Sequence, residues 1–284
     1  MRVQLLGTGS PRPRLDRAGT ALIVDTGGET FLVDCGPGTT WRLLQANVSS
    51  LSIDRVFFTH HHFDHCADFG HFVLTRWDQG AGKVSPLEIY GPPGTVELTE
   101  RLFGPNGVYD PDITARTQHP MSQQIYARRG GELPRQPPVL RPKNVPHGLV
   151  YEGKDWRITA GPASHAQPYL ECYSYRIDGP DRSVVFTGDT GRCEGLAEFA
   201  RGADTLIHMC SFLDDELVKW RLEDSCGGPT MAAQVATQAG ARKLVLTHLQ
   251  SGNMEGADSQ AEVIARAREH FAGEVVFAAD LLVV

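Results

Sequence analysis

The sequence has no CxxC cysteine pair, no long apolar run and no excess of basic residues. Its six cysteines are scattered over 284 residues, which argues against a disulfide framework or a zinc knuckle. No apolar stretch approaches membrane-spanning length and the first residues show no signal-peptide pattern, so we expect a cytoplasmic protein without a membrane partner. A net charge of −7, from 27 Lys and Arg against 34 Asp and Glu, makes a long nucleic-acid backbone an unlikely main partner.

Strand-like and helix-like segments alternate along the chain, which predicts a layered α/β fold. The length suits one large domain over residues 1–284. The predicted strands are Val3–Leu6, Thr20–Asp25, Thr30–Asp34, Arg55–Phe58, Leu87–Tyr90, Trp156–Ala160, Cys172–Ile177, Ser183–Thr187, Thr205–His208, Leu244–Thr247, Glu274–Phe277 and Leu281–Val284. The predicted helices are Thr39–Ala46, His71–Trp77, Thr95–Phe103, Leu196–Ala200, Thr230–Ala239 and Ser259–Phe271.

Residues 104–148 interrupt this alternation with a proline-rich segment that we predict to be irregular. Long insertions of this kind in compact domains serve as lids, binding loops or oligomer contacts, and some are merely tolerated surface loops. A lid over the substrate and a homodimer contact are therefore both expectations for this segment.

The stretch after Phe58 concentrates metal-binding side chains directly behind a predicted strand. His60 and His62 are two positions apart on an extended segment and should point to one side, whereas Asp64 and His65 follow where the chain turns. Neutral imidazole and carboxylate groups are ligands that zinc prefers. A solvated histidine-rich turn is the alternative interpretation of this stretch.

Three later positions repeat the pattern of a strand that ends in a metal-binding side chain. His165, Asp189 and His248 each follow a predicted strand, and Gly188 allows the backbone to come close to an ion. The two histidines could instead be buried structural residues, and Asp189 could cap the next element. Together with the first stretch they give seven candidate metal ligands, namely His60, His62, Asp64, His65, His165, Asp189 and His248.

The order and spacing of these seven residues resemble those of the metallo-β-lactamase-fold hydrolases. Within that superfamily the chain is most similar to the ribonuclease Z-like and arylsulfatase-like branch. The stretches that carry this likeness are Leu6–Ser10, Val33–Gly38, Tyr173–Ile177, Thr187–Thr190 and Leu246–His248. The resemblance implies an α/β (α+β) fold, a four-layer αββα sandwich with metals at one edge of the paired sheets.

The resemblance also implies how the metals are held. One metal would bind His60, His62 and His165. The second would bind Asp64, His65 and His248, and Asp189 would bridge the two. Two zinc ions are the expected cofactors, with manganese or iron as alternatives.

Two departures from the ribonuclease Z pattern bear on the substrate. Ribonuclease Z enzymes carry a long basic tRNA-binding arm, commonly between the third-motif His and the bridging Asp, but here only 24 positions separate His165 from Asp189. They also pair a Glu with a late His as proton donor. Met209 takes the Glu position here, and the stretch from Ser225 to Pro229 contains no His. We therefore expect nucleic acid to be an unlikely substrate.

Two residues are predicted to take part in catalysis. A water between two zinc ions ionises near neutral pH, and Asp64 can orient it or carry its proton. His208 is a candidate proton donor or substrate contact, with a buried structural role as the alternative. His61 is predicted to point away from the metals. Asp68 either fixes a ligand imidazole or begins a helix.

Five further side chains have weaker functional interpretations. Cys66 and Cys210 lie near the predicted pocket but lack a triad-like setting, so neither is given a catalytic role. His147 and the Arg128–Arg129 pair could reach an anionic substrate, although solvent-facing loop charges are the more common case.

The sequence thus predicts a metal-dependent hydrolase that uses a zinc-bridging hydroxide on a small ester, lactone or phosphodiester. The first alternative is a ribonuclease Z-like endonuclease that acts on RNA 3′ ends. The second is an iron-dependent redox enzyme on the same scaffold, and the third is a non-catalytic binding protein. Fold analogy does not decide among them, because one scaffold supports many reactions.

Overall fold

Two β-sheets form the centre of the molecule in the computed structural model, which describes residues 1–250, 252–254 and 256–284. The first sheet has the strand order β1-β2-β3-β4-β5-β6, antiparallel at its first two pairings and parallel from β3 onward. Its strands are β1 (Arg2–Gly7), β2 (Ala21–Asp25), β3 (Thr30–Val33), β4 (Ile53–Phe57), β5 (Leu87–Gly91) and β6 (Leu140–Asn144).

The second sheet has the strand order β13-β12-β11-β10-β9-β8-β7. Strands β10 to β13 run parallel, and β7 to β10 are joined by antiparallel pairings. Its strands are β7 (Gly148–Glu152), β8 (Arg157–Pro162), β9 (Tyr173–Asp178), β10 (Ser183–Phe186), β11 (Thr205–Met209), β12 (Lys243–Thr247) and β13 (Glu274–Phe277).

Helices cover the outer faces of the two sheets. The described helices are α1 (Thr39–Gln45), α2 (Phe63–Cys66), α3 (Phe69–Gly80), α4 (Thr95–Phe103), α5 (Asp110–Gln118), α6 (Pro120–Arg128), α7 (Leu196–Phe199), α8 (Asp214–Trp220), α9 (Pro229–Ala239) and α10 (Ala257–Arg268). No helix in these described ranges is both long and apolar enough to cross a bilayer.

Three buried clusters show that the layers are stacked as αββα, as predicted. The central cluster joins the inner faces of both sheets, for example Phe31 of β3 stacked on Trp156 with ring centroids 4.4 Å apart. A second cluster packs the outer face of one sheet against α9 and α10, and a third packs the other sheet against α1 and α3. Removal of this apolar surface from water is the main stabilising contribution to the fold.

Most predicted elements are confirmed within a few residues, and the hairpin of β2 and β3 is among them. The prediction of a final strand over Leu281–Val284 is wrong. Three backbone hydrogen bonds join this segment to β1, but they give only the isolated bridge Gln4–Val283 and no ladder, and Leu281 has a φ of 67°. A left-handed residue interrupts the extended conformation that a continuous ladder requires.

The prediction of an irregular 104–148 segment is also wrong, because it contains α5, α6 and β6. Pro111 and Pro120 lie in the first turns of the two helices, where a missing N–H costs nothing. Pro142 lies in β6, an edge strand, which is where a sheet tolerates proline. The edge strand β7 and the short helix α8 were not predicted.

Candidate metal centre

The predicted metal ligands all follow the ends of strands and meet at one edge of the two sheets. His60, His62, Asp64 and His65 lie directly after β4, the last two within α2. The others lie just after three strands of the second sheet, with His165 after β8, Asp189 after β10 and His248 after β12. Because the strands share an edge, side chains up to 184 positions apart in the sequence come into contact.

Four side chains form a first cluster, and their ligand atoms all lie within 4.8 Å of one another. They are His60, His62, His165 and Asp189. Nδ1 of His62 lies 3.0 Å from Nε2 of His60 and 3.1 Å from Nε2 of His165. An Asp189 carboxylate oxygen lies 3.5 Å from Nε2 of His165 and 4.0 Å from Nε2 of His60.

A second cluster contains Asp64, His65, His248 and again Asp189, and all four are buried. Nε2 of His248 lies 3.0 Å from Asp64 Oδ2 and 3.1 Å from Asp189 Oδ2. Nε2 of His65 lies 3.3 Å from Asp189 Oδ1. Asp189 therefore belongs to both clusters: its Oδ2 faces histidines of both, and its Oδ1 faces His65.

Buried atoms without partners show that this arrangement fits a divalent cation. Within the described ranges, Asp64 Oδ1, His65 Nε2 and Asp189 Oδ1 are buried and have no hydrogen-bond partner. A buried polar atom left unpaired costs about 1–3 kcal/mol, and a coordinated cation removes that cost. Imidazole nitrogens and carboxylate oxygens converging at these distances are a donor set suited to zinc and related divalent metals.

Hydrogen bonds to the far side of the rings fix how four histidines are oriented. The Nδ1 atoms pair with Thr59 Oγ1 for His60, Asp34 Oδ2 for His65, Ser225 O for His165 and Ser211 Oγ for His248, at 2.6–3.0 Å. Each partner leaves Nε2 directed into the clusters. Such partners set the tautomer and orientation of a metal-ligating imidazole.

Asp34 is the centre of this supporting network, and the sequence analysis did not single it out. Its carboxylate accepts hydrogen bonds from the Thr59 N–H and the Thr59 hydroxyl, both at 2.8 Å, and from His65. Asp34 directly follows β3, just as His165 and His248 follow strands. The same strand-end pattern in the sequence could therefore have identified Asp34. Asp34 and His248 both have a φ of 61°, a strained conformation that often marks functional sites.

Burial and nearby charges shift the pKa values of the clustered groups in opposite directions. Burial lowers the pKa of His60 well below its usual value and also lowers the pKa of His62. Burial alone would lower the pKa of His65, but the carboxylates of Asp189 and Asp34 raise it well above the usual value. Burial would raise the pKa of Asp189, but the surrounding histidines hold it well below the usual range.

Two residues close to the clusters are directed elsewhere. His61 places Nε2 3.0 Å from Thr95 Oγ1, outside both clusters, and burial lowers its pKa to about 4. Asp68 accepts hydrogen bonds from the Thr40 N–H and from His71 Nδ1 rather than from a predicted ligand.

His208 lies on the outer face of its sheet. Successive side chains of a strand point to opposite faces of the sheet. In β11, Ile207 points into the core between the two sheets, so His208 and Leu206 point to the outer face, which packs against the helices. The His208 ring is fully buried, with Nδ1 2.7 Å from the Met209 carbonyl oxygen, and burial lowers its pKa to about 4. A Cβ on Gly227 would lie 3.2 Å from the ring, which places His208 beneath the segment that precedes α9.

The remaining predicted side chains also lie outside the two clusters. Burial raises the pKa of the Cys66 thiol to about 12 and that of Cys210 further, so neither is a ready nucleophile at neutral pH. The ring of His147 packs on Tyr173 with centroids 4.7 Å apart. Of the arginine pair, the exposed Arg129 contacts Asp78 at 2.8 Å.

Comparison with known proteins agrees with the fold. The family profile "Beta-lactamase superfamily domain" matches residues 29–249. The chain is 36% identical over 274 residues to a protein named "Ribonuclease Z" from Mycolicibacterium gilvum, covering 94% of this chain and 91% of that protein. It is 34% identical over 287 residues to "Ribonuclease Z" from Mycobacterium avium, covering 99% and 96%.

Solved structures share the whole architecture at lower identity. The metallo-beta-lactamase fold protein YhfI from Bacillus subtilis is 24% identical with a TM-score of 0.75, covering 100% of this chain and 98% of its own. Human tRNase Z, short form, is 23% identical with a TM-score of 0.70 and the same coverage. Together with the clusters, these matches make the protein a metal-dependent hydrolase. The chain belongs to the beta-lactamase superfamily, in its ribonuclease Z-like branch.

Proposed function

We propose that this protein is a two-zinc phosphodiesterase that hydrolyses small phosphodiesters. One zinc would be held by His60, His62 and His165. The other would be held by Asp64, His65 and His248, and Asp189 would contact both. The observation that carries the proposal is the pair of four-residue clusters that share Asp189.

Bound zinc ions would polarise a phosphoryl oxygen and lower the pKa of a water molecule at the site. The protein's own part is to hold the ligands in place and to move protons. Asp64 directs Oδ2 toward His248, whereas its Oδ1 is buried and lacks a partner in the described part of the chain. We assign Asp64 Oδ1 as acceptor of the proton released by the attacking water.

The surroundings of Met209 bear on how the leaving group departs. Met209 is buried beside the centre, and its sulfur accepts the Thr190 N–H at 3.2 Å. A thioether cannot donate a proton. We also assign His208 a structural role, because it lies on the opposite face of β11. Without a strong acid here, the enzyme should favour substrates whose leaving groups depart unprotonated.

The dependence of the rate on the leaving group tests this assignment of Met209. The rates of zinc-loaded protein on aryl methyl phosphodiesters should fall steeply as the pKa of the phenol leaving group rises. A rate independent of leaving-group pKa would show that a proton donor is present and would overturn the assignment of Met209. Replacing Met209 by Glu should flatten the dependence, while Met231→Glu on α9 serves as the matched control.

The metal content and the type of bond cleaved are tested together. Purified protein should contain two zinc ions per chain and hydrolyse bis-p-nitrophenyl phosphate faster than aryl esters or lactones. His62→Ala should lose one zinc ion and nearly all activity. His270 is an exposed histidine after α10, and His270→Ala should keep both zinc ions and full activity. Preferred hydrolysis of esters or lactones, or iron in place of zinc, would contradict the proposal.

Cleavage at RNA 3′ ends is the second candidate, and the curated relatives named "Ribonuclease Z" favour it. Between His165 and Asp189 the structure places only a turn and the strands β9 and β10, which leaves no room there for a long basic arm. A precursor tRNA in the same hydrolysis screen separates the candidates. Processing of tRNA without turnover of small phosphodiesters would replace the main proposal with this one.

A further inference from the structure

A cavity of about 460 Å³ lies between the C-terminal half of α3 and the 104–148 segment, away from the metal centre. Its walls include Val73 and Trp77 of α3, Tyr126 of α6, Leu87 at the start of β5 and Leu140 of β6. The volume lies within the range of small-molecule sites, which are mainly apolar with a few directed polar groups.

The cavity and the metal centre lie at opposite ends of the same strands. The cavity reaches Leu87, the first residue of β5, whereas the predicted ligands follow the last residue of the neighbouring parallel strand β4. None of the seven predicted ligands lines the cavity. An occupant would therefore bind at a second site, separate from the phosphodiester.

Ion pairs hold the walls of the cavity in place. Asp78 of α3 contacts Arg116, Arg129 and Arg135 of the 104–148 segment at 2.8–3.0 Å. The Arg135 guanidinium is buried, and its carbon lies 4.0 Å from the ring centre of Trp77 and 5.0 Å from that of Tyr126. Both aromatic walls are thus positioned before any ligand binds, which reduces the ordering cost of binding.

Two polar groups of the cavity have no protein partner. Tyr126 is only 6% exposed, yet its hydroxyl has no hydrogen-bond partner in the ranges that the structure describes. A Cβ at Gly82 would clash with that hydroxyl, so the glycine leaves space beside it. The Lys83 ammonium, also without an ion-pair partner in those ranges, lies 2.9 Å from where Gly130, another lining residue, would carry a Cβ.

The charges around the cavity favour an anion. The lining contains the cations Arg76 and Lys83 and one acid, Glu132. Arg76 is engaged by Asp54 and by backbone carbonyl groups, so Lys83 is the cation left to pair with a ligand. The adjoining ion-pair cluster adds three arginines against Asp78 and Asp112, so with Asp54 counted the region holds five cations and four acids within a chain of net charge −7.

We propose that this cavity binds a small aromatic anion. The planar ring would lie against Trp77 and Tyr126, and its anionic group would accept a hydrogen bond from the Tyr126 hydroxyl and pair with Lys83. Aromatic rings supply the apolar contact area, and the two donors specify where the negative group lies.

Isothermal titration calorimetry of the zinc-loaded full chain with naphthalene-1-sulfonate tests the proposal, because a sulfonate is a weak zinc ligand. With about 14 heavy atoms, this probe should bind one per chain with a millimolar or lower dissociation constant. Neutral 1-naphthalenemethanol should bind at least threefold more weakly. No binding of the sulfonate, or equal binding of the two probes, overturns the proposal.

Four variants assign the binding to this cavity. Tyr126→Phe should weaken sulfonate binding about five- to tenfold, and Lys83→Gln about two- to threefold. Val139→Trp, at a 56% exposed lining position, should fill the cavity and abolish binding. The control Lys154→Gln lies in an exposed turn and should bind as the wild type does.

Thermal melting and zinc content identify any variant that fails to fold. Wild-type affinity in a folded Val139→Trp variant would place the bound probe elsewhere and overturn the proposal. If Tyr126→Phe is unstable, Lys83→Gln and Val139→Trp still decide the question, since both change the cavity mouth and leave the buried ring intact.

Discussion

Replacement of Asp34 by Asn should weaken the second metal site while leaving the first intact. Asp34 Oδ2 accepts hydrogen bonds from the Thr59 hydroxyl and from His65 Nδ1, and Oδ1 accepts the Thr59 N–H. If the Asn carbonyl oxygen keeps the Thr59 N–H, its NH₂ group faces His65 Nδ1. An NH₂ group cannot accept a hydrogen bond, so the His65 proton should move to Nε2. That nitrogen is the one directed at Asp189, and a protonated nitrogen cannot bind a metal.

The size of the effect follows from what the carboxylate supports. Loss of the group that orients a ligand histidine typically lowers metal affinity 10–100-fold, about 1.4–2.7 kcal/mol of binding free energy. Only His65 depends on Asp34 directly. The His60 ring reaches Asp34 only through the Thr59 hydroxyl, which can rotate to a new partner. We therefore expect the loss to fall on one of two zinc ions.

Competition with a fluorescent zinc chelator measures the two affinities separately. Asp34→Asn should show one wild-type site and one site weakened 10–100-fold. Asp155→Asn, an exposed aspartate in the turn before β8, is the isosteric control. Two unchanged affinities, or an equal loss at both sites, would refute the assignment of Asp34 to His65.

Three further perturbations have defined outcomes. Asp189→Asn should weaken both zinc sites, because Asp189 belongs to both clusters; chelator competition showing one unchanged site would contradict this. Gly36→Ala should displace the Asp64 carbonyl, which a Cβ would overlap, and lower zinc content, whereas Gly28→Ala meets no atom within 4 Å; equal zinc in both variants would count against this packing argument. Asp78→Asn should lower the free energy of unfolding at pH 7 by about 1–3 kcal/mol in urea denaturation. Burial would raise the pKa of Asp78, but three arginines lower it. The stabilisation is therefore present above the unfolded-state pKa of about 4 and is lost as the pH falls through the lower folded-state pKa; a difference from wild type that does not shrink below about pH 4 would exclude this origin.

Local sequence was enough to predict most of the secondary structure and the set of candidate ligands. Short continuous runs of apolar and β-branched residues predict β2 and β3, because strands that are buried on both faces need no alternation of polar and apolar residues. The stretch around His60 could be recognised because several metal-binding side chains follow directly after an apolar strand. The elements that were missed, such as β6 and α5, lie at a sheet edge or in the 104–148 segment and contain proline. Proline breaks the interior of a helix or a central strand, but it is tolerated in the first turn of a helix and on an edge strand, so its presence alone does not distinguish a loop from these elements.

The tertiary structure alone decided which groups share a site and which supporting residues orient them. The pairing of His65 with Asp34, of His165 with Ser225 and of His248 with Ser211 joins residues 31, 60 and 37 positions apart. No local pattern specifies such contacts, because they depend on how two sheets stack and which strand ends meet. The same holds for the face of β11 on which His208 lies. It also holds for the cavity beside Trp77, which residues of α3, α6, β5 and β6 line together. The sequence by itself determined the donor atoms, and the packing of the two sheets determined what surrounds them.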